Sequence, residues 1–434
     1  MITMKNKVLL VGGGGREDAI ARKILSSGAE LYSVMKNRNP SIFSVSRKAF
    51  IHDELDVDSI LKFALESGVD LAFVGPDPVL NTKLVDRLEE EGIRVASPSY
   101  EAARLETSKE FMRKFVERNS IPGNIEFKVI TEQSEIAGLL EKSGKEYAIK
   151  PIGLTGGKGV RVMGVQLHTK EEAVSYAASV IEKDGAVILE ERIQGEEFSL
   201  QVLSDGTNIA PFPIVQDFKR AYENDEGPNT GGMGAISDSN GGLPFIKQTV
   251  AEEALEIIRR IVFHMKDEGN PFKGVIYGQF MQVGDSPKIV EINARFADPE
   301  GISVLTLLED DFVELMNEIV EGKLRASMKF REKASVLKYV VPEGYGSNPT
   351  PGDLEISTDP EPDDFRVYYA AVSGTLNNVK MSTSRALALV GLADTIPEAS
   401  ARVEENLWRI RGNYYMRHDI GTEEMLRRKK ENVS

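Results

Sequence analysis

The 434-residue sequence contains no cysteine. Disulfides, thiol catalysis and thiolate metal sites are therefore excluded. Only four histidines occur, His52, His168, His264 and His418, too far apart in sequence for an HExxH-type metal pair. No stretch approaches the roughly 20 apolar residues that span a bilayer. The start, Met1 to Lys7 running directly into Val8-Leu9-Leu10-Val11, leaves no room for a secretory h-region and cleavage site, so a cytoplasmic location is expected. Basic charge is also in deficit: 53 Lys+Arg against 68 Asp+Glu give −15. This argues against nucleic acid as a partner, since its binders usually carry a basic field. The run Arg427-Arg428-Lys429-Lys430 is local and terminal, and reads as a solvated helix tail.

What is present is a soluble composition, 41% hydrophobic and 28% charged, long enough for several domains and a large core. In the first ~105 residues, runs at Lys7 to Val11, Leu31 to Val34, Leu71 to Val74 and Ile93 to Ala96 read as strands alternating with helices, which predicts a doubly wound parallel sheet. Tyr100 to Asn119 reads as a helix or helix pair, stopped by Ile121-Pro122-Gly123. Ile125 to Leu200 reads as a small α+β unit, with strands at Tyr147 to Lys150, Val160 to Met163 and Ala186 to Glu190 and a helix over Lys170 to Lys183. Gly206 to Gly242 is loop-rich, and Val250 to Lys266 has helical apolar spacing. Strands are expected at Val275 to Gln282, Lys288 to Ile292, Ser335 to Val341 and Val367 to Val372, and a helix near Phe312 to Glu321.

Six segments carry chemistry. Gly12-Gly13-Gly14-Gly15-Arg16-Glu17 lies between a strand and a helix, where backbone N–H groups and a helix N-terminus favour an anion. Glu17 occupies the third fingerprint position, and no acidic residue follows the second strand, so a phosphorylated small molecule fits better than a dinucleotide. A tight turn without a ligand is the competing reading. Lys150 to Val160 combines glycines with lysines and suits a lid over a nucleotide, or is a plain turn. It is not a Walker A loop, which needs glycine at Ile152 and Ser or Thr at Gly159.

Glu291-Ile292-Asn293-Ala294-Arg295 alternates, so Glu291, Asn293 and Arg295 share one strand face while Ile292 and Ala294 face the core. A carboxylate beside an amide oxygen suits Mg²⁺, and Arg295 could grip a carboxylate or phosphate; a half-solvated face is the alternative. Finally, Gln216 to Arg220 and Gly227 to Gly234 lie in long loops, and Ile188 to Glu197 has the character of a hinge receiving a base and ribose.

Together and in this order, these motifs, with Val74-Gly75-Pro76-Asp77, Thr107-Ser108-Lys109 and Tyr414 to Gly421, resemble the glycinamide ribonucleotide synthetase family of the ATP-grasp superfamily across essentially the whole chain. The resemblance implies an α/β and α+β multidomain fold: an N-terminal doubly wound domain over 1–107, an ATP-grasp domain over 108–328 with a lid at about 125–195, and a mixed C-terminal domain over 329–434. It implies ATP-driven joining of glycine to 5-phosphoribosylamine in purine synthesis, with Mg²⁺ or alternatively Mn²⁺, by a monomer or homodimer. Other ATP-grasp carboxylate-amine ligases and a non-catalytic nucleotide binder are the alternatives.

By position, Glu291 and Asn293 resemble the metal ligands. Lys109, Lys150, Gly156, Gly157, Lys158 and Gly159 resemble the phosphate grip, Glu190, Glu191 and Ile193 the adenine contacts, and Glu197 the ribose contact. Arg220 and Asn229 are implied on the nucleotide side, with Asp217 and Arg295 on glycine. Lys150, Asp217 and Arg295 are the implied catalytic set, and Gly14, Arg16, Asn39, Gly75 and Asp77 surround phosphoribosylamine. The sequence departs from the family pattern at Asp18, usually histidine, and at Lys36 to Ser41, which replaces Pro-Gly-Asn-x-Gly and keeps only Asn39. Phe218 stands for a common histidine, Ala297 for a common glycine, and Gly301-Ile302 interrupts the usual run after Glu300.

Overall fold

The computed structural model describes residues 6–153 and 159–431. Parallel strands β1 (Lys7–Val11), β2 (Glu30–Met35), β3 (Lys48–Ile51), β4 (Leu71–Val74) and β5 (Arg94–Val95) form one sheet in the order β3-β2-β1-β4-β5. Helices α1 (Gly15–Ser26), α2 (Pro40–Val45), α3 (Val57–Ser67), α4 (Asp77–Leu80) and α5 (Leu84–Glu90) connect them. Val8 to Val11 and Leu71 to Val74 are wholly apolar and buried, as a sheet covered on both faces requires. The strand order reverses at β1, between β2 and β4, so the turn after β1 and Gly75 after β4 open onto the same switch-point crevice. Strand β3 escaped sequence reading because it is four residues long, at the sheet edge, with no buried face.

Arg104–Thr107 and Lys109–Arg118 form the helix pair. The next unit is an antiparallel sheet of Phe127–Ile130, Val187–Glu191, Tyr147–Pro151 and Arg161–Val162, packed on helices Gln133–Ser143 and Lys170–Asp184. It has its own core of Ile136, Leu140, Tyr147, Ile149, Ala177 and Leu189, separate from the main one. A second antiparallel sheet places Glu196–Asp205 beside Lys273–Val283 and Ser286–Asn293, backed by the helix Gln248–Asp267.

The segment expected to be mostly loop instead contributes five strands of two to four residues, including Gln216–Asp217 and Gly234–Ser237. These two join Ala334–Val340, Leu387–Ala393 and Phe365–Tyr369 in one five-stranded sheet. The C-terminal region is thereby continuous with the strand carrying Asp217. The expected strand Val367 to Val372 is not one element. It stops at Tyr369, turns through Ala370 and Ala371, and resumes as Val372–Gly374 in another sheet, because Ala370 N–H bonds to Ala386 and Val372 N–H turns back to Ala370. Among the described residues no helix is long and apolar enough to cross a membrane.

Candidate functional site

A cleft of about 470 Å³ lies where the N-terminal crevice, the small antiparallel unit, the second sheet and the C-terminal region meet. A larger hollow of about 940 Å³, walled by charged residues such as Glu309, Arg331 and Asp394, holds none of the expected site residues. The cleft collects Arg16 and Asp77 from the N-terminal domain, Lys150, Glu190 and Glu191 from the small antiparallel unit with Ile193 just after it, Glu197, Asp217, Asn229, Glu291 and Asn293 from other strands, and Arg295 just past Asn293.

Its floor is the end of Ser286–Asn293, where the alternation holds: Ile292 and Ala294 are buried, while Glu291, Asn293 and Arg295 line the cleft. Asn293 Nδ2 donates to Glu291 Oε1 at 3.0 Å, which leaves its amide oxygen and the other carboxylate oxygen for a ligand. Burial pushes the Glu291 pKa up, but Lys219, the Asn293 amide and Lys150 outweigh it, so the carboxyl stays charged below its ordinary value. Among the described residues no group of three or more His, Asp or Glu could hold a metal. One carboxylate plus one amide oxygen is instead the donor set of Mg²⁺ that fills its octahedron with phosphate and water, so these residues fit that ion.

Arg295 is fixed by Glu106, with Nη2 3.0 Å from Oε1, while Glu106 Oε2 accepts the Ala294 N–H at 2.7 Å. Arg295 Nε is buried without a hydrogen-bond partner. Burial alone would lower the Arg295 pKa, but Glu106, Asp77 and Glu291 reverse this and keep it charged. Beside it, Lys219 Nζ bonds Glu197 Oε2 at 2.9 Å and stands 3.8 Å from Asp217 Oδ2. Burial opposes that charge, yet Asp217, Glu197 and Glu291 hold Lys219 well above the ordinary lysine value. Burial, then Glu197 and Glu291, push Asp217 up despite Lys219.

In the small antiparallel unit, Lys150 Nζ is 2.6 Å from Glu190 Oε2, and Arg113 reaches Glu190 bidentately at 2.8 and 2.9 Å. Glu190 is wholly buried; burial would raise its pKa, but Arg113 and Lys150 win and hold it at about 2. Its carboxylate is thus committed to joining the small antiparallel unit to the helix Lys109–Arg118, and Arg113 also donates to Val290 O. Lys109 Nζ donates to Gly153 O at 2.8 Å, at the edge of the glycine loop. Burial, with Lys150 nearby, lowers its pKa. Gly159 accepts the Tyr176 hydroxyl at 2.7 Å, while Gly156, Gly157 and Lys158 lie outside the described residues.

In the N-terminal crevice Glu17 turns back on its own helix, accepting Gly14 N–H at 2.9 Å and Arg16 Nε at 2.7 Å. It fills the space over Gly12 and Gly75: a Cβ on Gly12 (φ +117°) would lie 2.7 Å from Glu17 Cγ, and one on Gly75 would collide with Glu17 Oε1. Arg16 Nη1 donates to Phe296 O at 2.7 Å, pinning this turn to the chain just past Arg295. Gly14, Gly75 and Asn39 are not in the cleft wall. Asn39 is buried, capping α2 through Oδ1 and donating Nδ2 to the Gly13 and Tyr369 carbonyls. Arg220 also stands outside the wall, donating to Gly227 O, although it pairs in the ladder with Asn229, which does line it.

Sequence reading missed Arg113, Glu106, Lys219, Glu300 and Arg385 as parts of the site. Glu300 is buried with the Tyr277 hydroxyl donating to it at 2.9 Å; burial, then Asp217, raise its pKa to about 8. Arg385 comes from the C-terminal region, donates to Asp298 O at 3.0 Å, bonds the Gly231 carbonyl, and stacks 4.6 Å from the Tyr339 ring. Lys219 and Glu300 sit within quoted motifs and could have been singled out there.

Family models of phosphoribosylglycinamide synthetase match in series: the N domain over residues 6–106, the ATP-grasp (A) domain over 107–301 and the C domain over 335–423. The chain is 47% identical over 426 residues to the phosphoribosylamine–glycine ligase of Pyrococcus abyssi, covering 98% of this chain and 96% of that protein. It is 46% identical over 430 residues to that of Methanothermobacter thermautotrophicus, covering 98% of both. Among solved structures, phosphoribosylamine–glycine ligase from Thermotoga maritima superposes with TM-score 0.81 at 25% identity, covering 95% of this chain and all of that one. A biotin carboxylase from Campylobacter jejuni has the same fold, with TM-score 0.76 at 17% identity over 97% of this chain and 95% of that one. With relatives at this identity along nearly its full length and three consecutive domain matches, the chain belongs to the phosphoribosylglycinamide synthetase family.

Proposed function

We propose that the chain joins glycine to 5-phosphoribosylamine at the expense of ATP, giving glycinamide ribonucleotide, ADP and phosphate, with the working division of the chain at 1–107, 108–328 and 329–434. The observation that carries this is the common anchorage of Arg16 and Arg295. An anion-binding turn and a carboxylate-gripping arginine are fixed to the same carbonyl at one cleft, so a phosphorylated acceptor and an amino acid can meet.

In this reading Arg16 and Asp77 face the sugar phosphate from the cleft wall, with Gly14, Gly75 and the buried Asn39 shaping the turn behind them, and Arg295 with Asp217 holds the carboxylate and ammonium of glycine. Lys109, Lys150 and the glycine loop take the ATP phosphates, the backbone at Glu190 to Ile193 takes the base, Glu197 takes the ribose, and Arg220 and Asn229 flank the nucleotide. Glu291 and Asn293 would hold Mg²⁺, which when bound would neutralise phosphate charge. The glycine carboxylate attacks the γ-phosphorus, forming a C–O–P linkage and releasing ADP. The acceptor amine then attacks the acyl carbon, the C–O bond to phosphate breaks, and the amine's proton is lost to a base or to the departing phosphate. The protein contributes positioning and charge compensation, the main resources for phosphoryl transfer. Lys150 and Arg295 supply positive charge from opposite sides without forming covalent bonds.

Glycine labelled with ¹⁸O in its carboxylate tests this route. One labelled oxygen per turnover is expected in the phosphate produced; product formation with unlabelled phosphate would exclude a phosphorylated carboxylate.

A further inference from the structure

Asp18, in the first turns of α1, is 1% exposed and lies outside the cleft wall. Its Oδ1 accepts the Ser41 hydroxyl at 2.6 Å. Its Oδ2 accepts the backbone N–H of Tyr369 at 2.8 Å and Arg22 Nη2 at 3.3 Å. Three donors from three segments thus converge on one side chain that only accepts when ionised. Arg22 supplies the countercharge a buried carboxylate needs, and is itself held by Glu361 at 3.6 Å and by the Tyr368 ring at 4.6 Å.

A second buried side chain ties the same segments. Asn39 donates to Gly13 O at 3.0 Å and to Tyr369 O at 2.7 Å, and accepts Ser41 N–H at 3.0 Å. The glycine turn touches both neighbours directly: a Cβ on Gly13 would lie 3.2 Å from Asn37 O, and one on Gly15 would lie 2.8 Å from the Tyr339 hydroxyl and 3.3 Å from Ala370 Cβ. The turn, the loop 36–41 and the end of the strand Phe365–Tyr369 are therefore packed with no slack. The interruption of that strand at Ala370 falls where Asp18 and Asn39 grip the backbone.

We propose that Asp18 is a positioning residue for the acceptor end of the reaction: with Ser41 as its partner it clamps the loop 36–41 and the C-terminal segment at Tyr369–Ala371 against the anion-binding turn, setting the fit for the sugar phosphate. This rests on the reading of that turn as the phosphoribosylamine end. The substitution Asp18→Asn keeps the shape but leaves a single acceptor oxygen and turns an NH₂ toward donors, so the clamp would loosen without creating a cavity. Ser41→Ala would remove one arm and leave Tyr369 and Arg22 in place.

The test is steady-state kinetics of Asp18→Asn and Ser41→Ala with each substrate varied in turn, alongside thermal melting. Asp18→Asn is expected to raise KM for phosphoribosylamine about tenfold or more, the scale of one lost hydrogen bond to a charged group, while KM for ATP and glycine stays within about twofold. Ser41→Ala, which keeps the buried ion pair and hence the fold, is expected to shift the same KM in the same direction by a smaller factor. Equal rises in all three KM values, or an unchanged phosphoribosylamine KM in a folded Ser41→Ala protein, would overturn the proposal. Arg16→Ala separates the two levels. If it raises the phosphoribosylamine KM and the clamp variants do not, the clamp alone fails; if it leaves that KM unchanged, the reading of the turn fails and the clamp falls with it.

Discussion

Arg16 and Arg295 donate to one acceptor, the carbonyl oxygen of Phe296, at 2.7 and 3.3 Å. One arginine lies in the first turn of the first helix of the N-terminal domain and the other follows the central strand Ser286–Asn293, 279 positions later (295 − 16). Each has a carboxylate partner, Glu17 for Arg16 and Glu106 for Arg295, so the positive charges sit close together without being left uncompensated. In the proposed assignment the relationship couples the two substrate ends of the cleft through a single peptide group.

Replacement of either arginine is expected to act at its own end. Arg16→Ala should raise KM for phosphoribosylamine by roughly tenfold or more with ATP affinity unchanged, and Arg295→Ala should raise KM for glycine and lower kcat. In the double variant the loss in kcat/KM should differ from the product of the single losses, because residues in one hydrogen-bond network are not additive. Simple multiplication in the cycle would mean that Phe296 O transmits nothing.

Glu291→Gln keeps the shape of the floor and removes its charge. Turnover should fall by on the order of 10² to 10³, the scale of one preorganised electrostatic group, with an unchanged melting profile. Near-normal kcat would remove Glu291 from the site.

The Arg113–Glu190–Lys150 cluster predicts a stability effect. Arg113→Met leaves a buried carboxylate with one partner and should cost about 3 to 5 kcal/mol in denaturant unfolding. The Glu190 pKa is depressed to about 2 from an ordinary 4.5, so its stabilisation is complete above pH 4.5 and is lost as pH falls toward 2. Glu190→Gln should flatten that part of the stability profile; an unchanged acid limb would show that the cluster does not hold the lid.

Glu300 predicts the opposite sign. Its pKa is raised to about 8 from 4.5, so the ligand-free protein should lose stability as pH rises from 4.5 through 8. Glu300→Gln, which mimics the protonated acid, should lack this loss, and its melting temperature should gain on the unmodified protein above pH 8. Parallel profiles across that range would place a charged Glu300 in the folded state at neutral pH.

Why some of this was legible in the sequence is a matter of range. Glu291, Asn293 and Arg295 obey a period of two, and the glycine turn marks itself by composition, so both can be read locally. Arg113 looks like one more charge on an amphipathic helix; only the fold brings it to Glu190, 77 positions away. Glu106 reaches Ala294 across 188 positions, and Arg385 reaches Asp298 across 87. The short strand Gln216–Asp217 carries no periodicity at two residues, and its place in the C-terminal sheet comes from pairing with Gly234–Ser237. Asp18 stands out in the sequence only as a departure from the family pattern and proves to be a buried junction, because its partners Ser41 and Tyr369 arrive from two other segments.

The most direct measurement is ADP release from Mg-ATP with glycine and phosphoribosylamine, the latter generated in place from ribose 5-phosphate and ammonia, each component being omitted in turn. The account predicts sustained ADP release matched by glycinamide ribonucleotide only when all are present. ADP release that needs neither glycine nor the amine would contradict it, and would mean that the cleft hydrolyses ATP or serves a different carboxylate and amine.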